Sequence, residues 1–305
     1  MRIVGTGSAA PKNVITNHQL AQIMDTSDEW IRSRTGIEER HVARGETCLS
    51  LALDAAKAAL KASGVPKERI GVVICATVSN EKRCPSLASC LQRDLGLSAD
   101  ILAFDLNAAC SGFIYALICA SHLISPDCYA LIVGSEVLSR ITDMNDRNTS
   151  VLFGDGAGAA IIAPQDMTQT VPFSWVTQSF GNDEVLYIDE HIHMNGASVF
   201  KFAVEKLVSN VRTVLERAQV ALEDIDLLIC HQANQRIIAS AARQLGLPME
   251  RFFMNLARYG NTSAASVPIA LDEAVRNGHV KRGANVIIAG FGGGLTVGAV
   301  YLQWA

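Results

Sequence analysis

Aromatic residues are scarce in this 305-residue chain: Phe, Trp and Tyr make up 6%, although hydrophobic residues as a whole make up 49%. The apolar content is therefore mostly Ala, Val, Ile and Leu, the mixture found in layered α/β proteins with buried sheets. Long hydrophobic runs are missing. The stretch from Gly112 to Ala120 stops at Ser121 and His122, well short of the roughly 20 residues that cross a bilayer. The first residues read as a short strand and a glycine turn with no signal-peptide core, so the expected location is cytoplasmic, off the membrane. There is no run of positive charge and no basic–aromatic stripe. With a net charge of −4, this excludes a nucleic-acid footprint. None of the eight cysteines forms a CxxC pair, which removes zinc ribbons and thioredoxin-like motifs. Most lie in apolar runs such as Val72-Val73-Ile74-Cys75 and read as small buried hydrophobes in a reducing compartment.

What is present is an alternation of strands and helices. Strands are expected at Ile70–Ala76, Leu102–Leu106 and Tyr129–Gly134. A helix is expected from an N-cap at Thr47 to about Ser63, with Gly64 just beyond its end. Thr26-Ser27-Asp28-Glu29 reads as a capping box opening a short helix that carries Trp30, Arg32 and Arg34. The order of elements then repeats. Val72-Val73-Ile74-Cys75, Leu95-Gly96-Leu97, Cys110-Ser111-Gly112, a strand at Leu131–Gly134 and a glycine hairpin at 153–158 form the first set. Leu227-Leu228-Ile229-Cys230, Leu245-Gly246-Leu247, Asn261-Thr262-Ser263, a strand at Val286–Ile288 and Phe291-Gly292-Gly293-Gly294 form the second. Leu97 to Cys110 is 13 residues and Leu247 to Asn261 is 14. The chain is thus expected to be two duplicated α/β halves, 1–163 and 164–305, facing each other so that Cys110 and Asn261 meet as equivalent points.

Three residues carry candidate chemistry. Cys110 follows the strand ending at Leu106 and is expected to open an apolar helix. There the helix dipole and free N–H groups favour a thiolate nucleophile; small neighbours at 108, 109 and 112 leave room for a substrate. His231 stands at the C-terminal end of the strand Leu227–Cys230, where open α/β sheets place ligands. Asn261 precedes a helix, a position that a plain N-cap would also explain. Gly154-Asp155-Gly156-Ala157-Gly158-Ala159 fits a loose dinucleotide fingerprint, but it runs into Ala160-Ile161-Ile162-Ala163 and Pro164 instead of opening a helix. A strand hairpin fits better.

Motifs spanning nearly the whole chain resemble the β-ketoacyl-acyl carrier protein synthase III family of the thiolase superfamily. They are Asp25-Thr26-Ser27-Asp28-Glu29-Trp30-Ile31 through Arg34-Thr35-Gly36-Ile37, Ala108-Ala109-Cys110-Ser111-Gly112-Phe113, Phe153-Gly154-Asp155-Gly156-Ala157-Gly158-Ala159, His231-Gln232-Ala233-Asn234, Tyr259-Gly260-Asn261-Thr262-Ser263-Ala264-Ala265 and Phe291-Gly292-Gly293-Gly294-Leu295-Thr296. The resemblance implies a thiolase-like fold with a layered α-β-α-β-α core. It implies an acyltransferase that condenses an acyl-coenzyme A primer with malonyl-acyl carrier protein, releasing coenzyme A and CO₂, in the initiation of fatty acid synthesis. Cys110 would carry the acyl group, His231 and Asn261 would stabilise the enolate, and the backbone N–H groups of Cys110 and Gly293 would form the oxyanion hole. Loss of CO₂ drives such a reaction, so no metal or other cofactor is implied. Trp30, Arg34, Thr35 and Arg147 match the coenzyme A site. Lys201, Arg236 and Arg243 match the docking site of the carrier protein, an acidic partner that a local basic patch would steer. A homodimer with joined sheets is also implied.

Two departures bear on substrate. Cys84 stands where the family often has a bulky aromatic that reaches across the dimer into the acyl pocket, so a deeper pocket and primers longer than acetyl are expected. The stretch from Pro164 to Lys201 is short for the family. Competing readings are a related condensing enzyme or acyltransferase of secondary metabolism, a non-catalytic partner subunit and a cysteine hydrolase. The retention of Cys110, His231, Asn261 and the glycine run together opposes the partner subunit; a hydrolase would need His231 and Asn261 to activate water or thiol and would leave the glycine-lined tunnel unexplained.

Overall fold

The computed structural model describes residues 1–164 and 172–304. The first half builds β1 (Arg2–Ala9), β2 (Val14–Thr16), α1 (Asn17–Leu20), α2 (Asp28–Thr35), β3 (Glu39–His41), α3 (Cys48–Ser63), β4 (Ile70–Ala76), α4 (Leu87–Leu95), β5 (Leu102–Leu106), α5 (Gly112–Leu123), β6 (Tyr129–Glu136), α6 (Arg147–Ser150) and β7 (Gly156–Ala163). The second builds β8 (Phe173–Asn182), β9 (Leu186–Ile188), β10 (Ile192–Met194), α7 (Gly196–Ala218), β11 (Leu227–Cys230), α8 (Gln235–Leu245), β12 (Phe252–Phe253), α9 (Leu256–Tyr259), α10 (Ser266–Arg276), β13 (Asn285–Gly292) and β14 (Gly294–Gln303). The boundary expected after residue 163 lies at the edge of residues 165–171, which are outside the described residues.

Two five-stranded sheets have the same order: β1-β7-β6-β4-β5 and β8-β14-β13-β11-β12. In each, the last three strands run parallel and the first two antiparallel. Strand alternation explains the layering. Val72 and Ile74 of β4 face a core shared with α5, α10 and the second sheet, whereas Val73 and Cys75 face α3 and α4. Leu228 and Cys230 likewise turn to α7 and α8 while Leu227 and Ile229 join the shared core. Because both faces of these strands are covered, they read as unbroken apolar runs. The layers are α3/α4, sheet, α5/α10, sheet, α7/α8, which is the thiolase-like α-β-α-β-α arrangement.

Local signals behave as ordinary chemistry requires. Thr47 caps α3 by accepting from Ser50 N, and Gly64 closes it at φ +65°. α2 departs from the expected capping box: its N-cap is Ser27, which accepts from Trp30 N, and the Thr26 hydroxyl is buried without a partner. β6 runs two residues further than expected, carrying Glu136 into the interior with no exposure. The glycine run at 154–158 leads into β7, antiparallel to β1 and β6, and not into a helix.

Candidate active site

The helices behind Cys110 and Asn261 do not start at those residues. A tight turn, Ala109–Ser111, precedes α5, and a matching turn, Ser263–Ala265, precedes α10. The two turns share unusual backbone: Ala109 has φ +45° and Ser263 φ +47°. Asn107 Oδ1 accepts from Ala109 N at 3.2 Å, and Asn261 Oδ1 accepts from Ser263 N at 2.9 Å. The equivalence expected from spacing is therefore offset. Asn261 is the counterpart of Asn107, and Cys110 that of Ala264. Cys110 and Asn261 still meet, because each turn packs against the end of a strand of the opposite half, β13 for the first and β6 for the second.

A cavity of about 600 Å³ collects Cys110, His231 and Asn261 with Ser263, Gly293 and Thr296. Its walls include Leu138, Phe153, Leu186, Ile192, Val199 and Phe291, an apolar lining with few polar groups, as small-molecule sites have. The residues between 172 and 201 close one side through β9, β10 and the start of α7.

His231 is 2% exposed, lies edge-on to Phe291 and continues β11 through a bond from His231 N to Ala289 O. Its Nδ1 lies 2.7 Å from Ser266 Oγ, and that oxygen also accepts from Gln232 N at 3.4 Å. Among the described residues the Ser266 hydroxyl has no other acceptor for its own proton within hydrogen-bond distance, so it donates to Nδ1, which assigns the proton of the neutral ring to Nε2. Burial holds the ring down to about 3, so it stays neutral and acts as a donor. Asn261 is 8% exposed. With Oδ1 committed to Ser263 N, its free end is the Nδ2 amide. Two neutral N–H donors thus enter the cavity beside the thiol.

The thiol itself differs from expectation. Burial pushes Cys110 up to about 12, and the nearby Glu136 carboxylate pushes the same way, opposed by the Ser263 hydroxyl. The turn position does not outweigh desolvation in the free protein, so Cys110 rests as a thiol and must lose its proton during reaction.

The glycine run fits round this residue. A Cβ at Gly292 would stand 2.7 Å from Cys110 N, and one at Gly293 would stand 3.5 Å from the Ala109 Cβ. Glycine is what lets the β13–β14 connection lie against the nucleophile turn. Thr296 ties the two together: its Oγ1 is 3.2 Å from Ala108 O, 3.2 Å from Ser111 Oγ and 3.0 Å from Gly293 O.

The remaining expected residues divide. Two guanidinium groups lie over the Trp30 ring, Arg147 4.8 Å and Arg34 5.1 Å from its centroid. Arg147 is further held by Asp25 O at 2.7 Å. Thr35 is 4% exposed, and its hydroxyl is spent on Ile31 O and Ile37 N. Its side chain closes the end of α2 and is not presented to a ligand. Lys201, Arg236 and Arg243 are exposed on α7 and α8. Arg236 stacks on Phe200 of the cavity wall at 5.7 Å. Cys84 is exposed and does not line the cavity of its own chain. Its loop precedes α4, whose first N–H groups are held by Asp105 of β5.

Four positions escaped the reading of the sequence. Ser266 and Thr296 look like ordinary hydroxyls within motifs. Asn234, whose Nδ2 donates to Arg34 O at 3.0 Å, ties α2 to the loop after His231. Glu136 lay just past the expected strand end. The repeat offers the missing signal for Ser266: aligning Cys75 with Cys230 pairs Ala76 with His231, and the two turns pair Gly112 with Ser266. A Cβ at Gly112 would stand 2.9 Å from Ala76 Cβ. One half fills this place with Gly against Ala, the other with Ser hydrogen-bonded to His.

Among the described residues, no helix is long and apolar enough to cross a membrane, and no group of three or more His, Cys, Asp or Glu side chains is placed to hold a metal.

Known proteins match along the same architecture. The family model for 3-oxoacyl-[acyl-carrier-protein] synthase III matches residues 104–179, and the model for the C terminal of that family matches residues 215–304. The β-ketoacyl-[acyl-carrier-protein] synthase III of Acholeplasma laidlawii is 47% identical over 99% of this chain and 98% of its own. The enzyme of that name from Clostridium acetobutylicum is 45% identical over 100% and 98%. The crystal structure of 3-oxoacyl-[acyl-carrier-protein] synthase III from Aquifex aeolicus superposes with a TM-score of 0.96 at 45% identity, covering 99% of each chain. Duplicated sheets, the Cys–His–Asn cavity and full-length similarity agree: the chain belongs to the 3-oxoacyl-[acyl-carrier-protein] synthase III family of condensing enzymes.

Proposed function

We propose that the chain catalyses decarboxylative Claisen condensation of an acyl-coenzyme A primer with malonyl-acyl carrier protein, the initiating step of fatty acid synthesis. The observation that carries this is the pair of neutral donors beside the thiol, His231 through Nε2 and Asn261 through Nδ2. Transfer of an acyl group to Cys110 requires a nucleophile and an oxyanion hole. Two further donors are what loss of CO₂ from a malonyl thioester requires, because they meet the charge growing on the thioester oxygen. The enolate carbon then attacks the acyl-Cys110 carbonyl, whose oxygen is received by the N–H groups of Cys110 and Gly293, and the thiolate leaves. CO₂ release drives the sequence without metal or redox chemistry. The neutral, donating His231 gives little support to a hydrolase, which would need it as a base.

Trp30, Arg34 and Arg147 form the receptor for the adenine end of coenzyme A, where an aromatic face flanked by cations suits a purine bearing phosphates. Lys201, Arg236 and Arg243, exposed on α7 and α8 with Arg236 against Phe200 of the cavity wall, receive the acidic carrier protein. Two copies join through β5. This strand has a neighbour on one side only, and Leu102 on it is 46% exposed, an edge that soluble proteins cover. In that dimer Cys84 reaches the partner's acyl pocket. The reaction takes place in the cytoplasm.

Replacing Asn261 by Ala tests the division of labour. Acyl-Cys110 should still form, while β-ketoacyl product falls by about 100-fold or more, the scale of losing an electrostatic donor. Product formation at the native rate would show that no enolate is stabilised there.

A further inference from the structure

The mechanism above leaves one proton unassigned. Cys110 rests as a buried thiol, and the neutral His231 is a donor on its free side, so neither the sulfur nor the imidazole is poised to part the S–H bond. Near the nucleophile lies a buried carboxyl that the steps above do not use. Glu136 is fully buried at the end of β6, and it has no Lys or Arg partner in an ion pair among the described residues.

Its surroundings are oriented. Ser79 Oγ accepts from Val137 N at 2.9 Å and gives its proton to Glu136 Oε2. Thr77 Oγ1 accepts from Ser79 N at 3.2 Å and donates to the same oxygen at 3.2 Å. Val78 N donates to Oε2 at 3.1 Å and more weakly to Oε1 at 3.3 Å. Three donors thus converge on Oε2, and Oε1 keeps capacity to accept. Towards this carboxyl comes the turn Ser263–Ala265, packed between the end of β6 and the turn of Cys110. The Ser263 hydroxyl neighbours both the Cys110 thiol and the Glu136 carboxyl. It is 3% exposed and settles into a full hydrogen bond with neither. An unsatisfied buried hydroxyl is costly to keep, and this one stands between a group that must lose a proton and one that can take it.

We infer that Ser263 and Glu136 form a relay that takes the Cys110 proton in the acyl-transfer step; this rests on the condensing reading above. As Sγ attacks the thioester carbonyl carbon, its proton passes to Ser263 Oγ and the proton of Ser263 passes to Glu136. The carbon–sulfur bond to coenzyme A breaks, and the departing thiolate takes the proton back along the same path, so the step ends with acyl-Cys110, free coenzyme A thiol and Glu136 ionised again. Burial raises Glu136 to about 7, which suits exchange near neutrality. The titratable groups facing it are Cys110 and Cys48. Glu81 and Arg140, paired at 2.7 Å, lie beside Cys48. Pseudosymmetry places Gly292 at the position of Glu136 in the other half, where β13 receives the nucleophile turn.

Ser263→Ala and Glu136→Gln separate this role from a structural one. Alanine suits the backbone at 263, since the equivalent position 109 is Ala with φ +45°, and the backbone N–H that holds Asn261 is kept. Stopped-flow release of coenzyme A thiol should slow by about 100-fold in both variants, the usual weight of general base catalysis. The rise of the native rate with pH towards about 7 should vanish. Condensation started from enzyme already acylated needs no thiol proton and should slow far less. Acyl transfer at the native rate in Ser263→Ala, or equal slowing of both half-reactions, would overturn the relay. Absence of any adduct on the native chain would overturn the condensing reading together with it. Should Glu136→Gln fail to fold, Ser263→Ala alone decides.

Discussion

At the scale of single residues, burial governs the chemistry. It keeps His231 neutral and Cys110 protonated, and it lifts Glu136 above the ordinary carboxylate range. Two of these shifts mark stability with opposite signs. His231 is depressed in the folded chain, so the stability tied to its neutrality is present above its unfolded value and is lost as pH falls towards about 3. Glu136 is raised, so its contribution is present below the unfolded value of about 4.5 and is lost as pH rises through about 7. Glu136→Gln removes only the second. Urea midpoints measured from pH 4.5 to 7 should therefore rise more steeply with pH in the variant than in the native chain. Parallel curves would contradict the raised carboxyl. The sequence pointed to Cys110 and Asn261 ahead of expected helices and to His231 at the end of an apolar strand. It could not name their partners. A serine such as Ser266 carries the same letter whether it caps a helix or sets a tautomer; only the 2.7 Å bond to His231 distinguishes the two.

At the scale of elements, strands buried on both faces were the most legible features, since nothing but apolar residues can occupy them. β4 and β5 agree with their expected bounds. Turn chemistry was less legible. The helices after Cys110 and Asn261 begin late, at Gly112 and Ser266. Residues Ala109 and Ser263 take positive φ without being glycine, a conformation no local propensity announces. The close approach at 292 gives a direct check. In Gly292→Ala the new methyl would meet Cys110 N at 2.7 Å and would push the nucleophile turn off the glycine connection. We expect acylation to fall by at least about tenfold, for an ångström of misplacement costs that much or more. The fold should persist by circular dichroism. Full acylation would show that the turn tolerates the shift and that this contact does not position the thiol.

At the scale of the whole molecule, duplication is the organising fact. Two sheets of identical strand order bring two similar turns to one cavity, and chemistry arises where the halves differ: Cys110 against Ala264, His231 against Ala76, Ser266 against Gly112, Glu136 against Gly292. The repeat was legible as a repeat, but its register at the catalytic turns was misread by three residues, because the second half inserts α9 (Leu256–Tyr259) between β12 and Asn261 where the first half passes directly from β5 to Asn107. Cys84, whose role belongs to the proposed dimer, does not line the cavity of its own chain.

The most direct test of the account is intact-mass measurement after mixing the chain with acyl-coenzyme A thioesters from acetyl to decanoyl, beside Cys110→Ala. We expect one acyl adduct on the native chain and none on the variant, with primers longer than acetyl among those accepted if Cys84 faces the partner's pocket as in the proposed dimer. An adduct that survives in Cys110→Ala, or none on the native chain with any thioester or with acylated carrier protein, would contradict it.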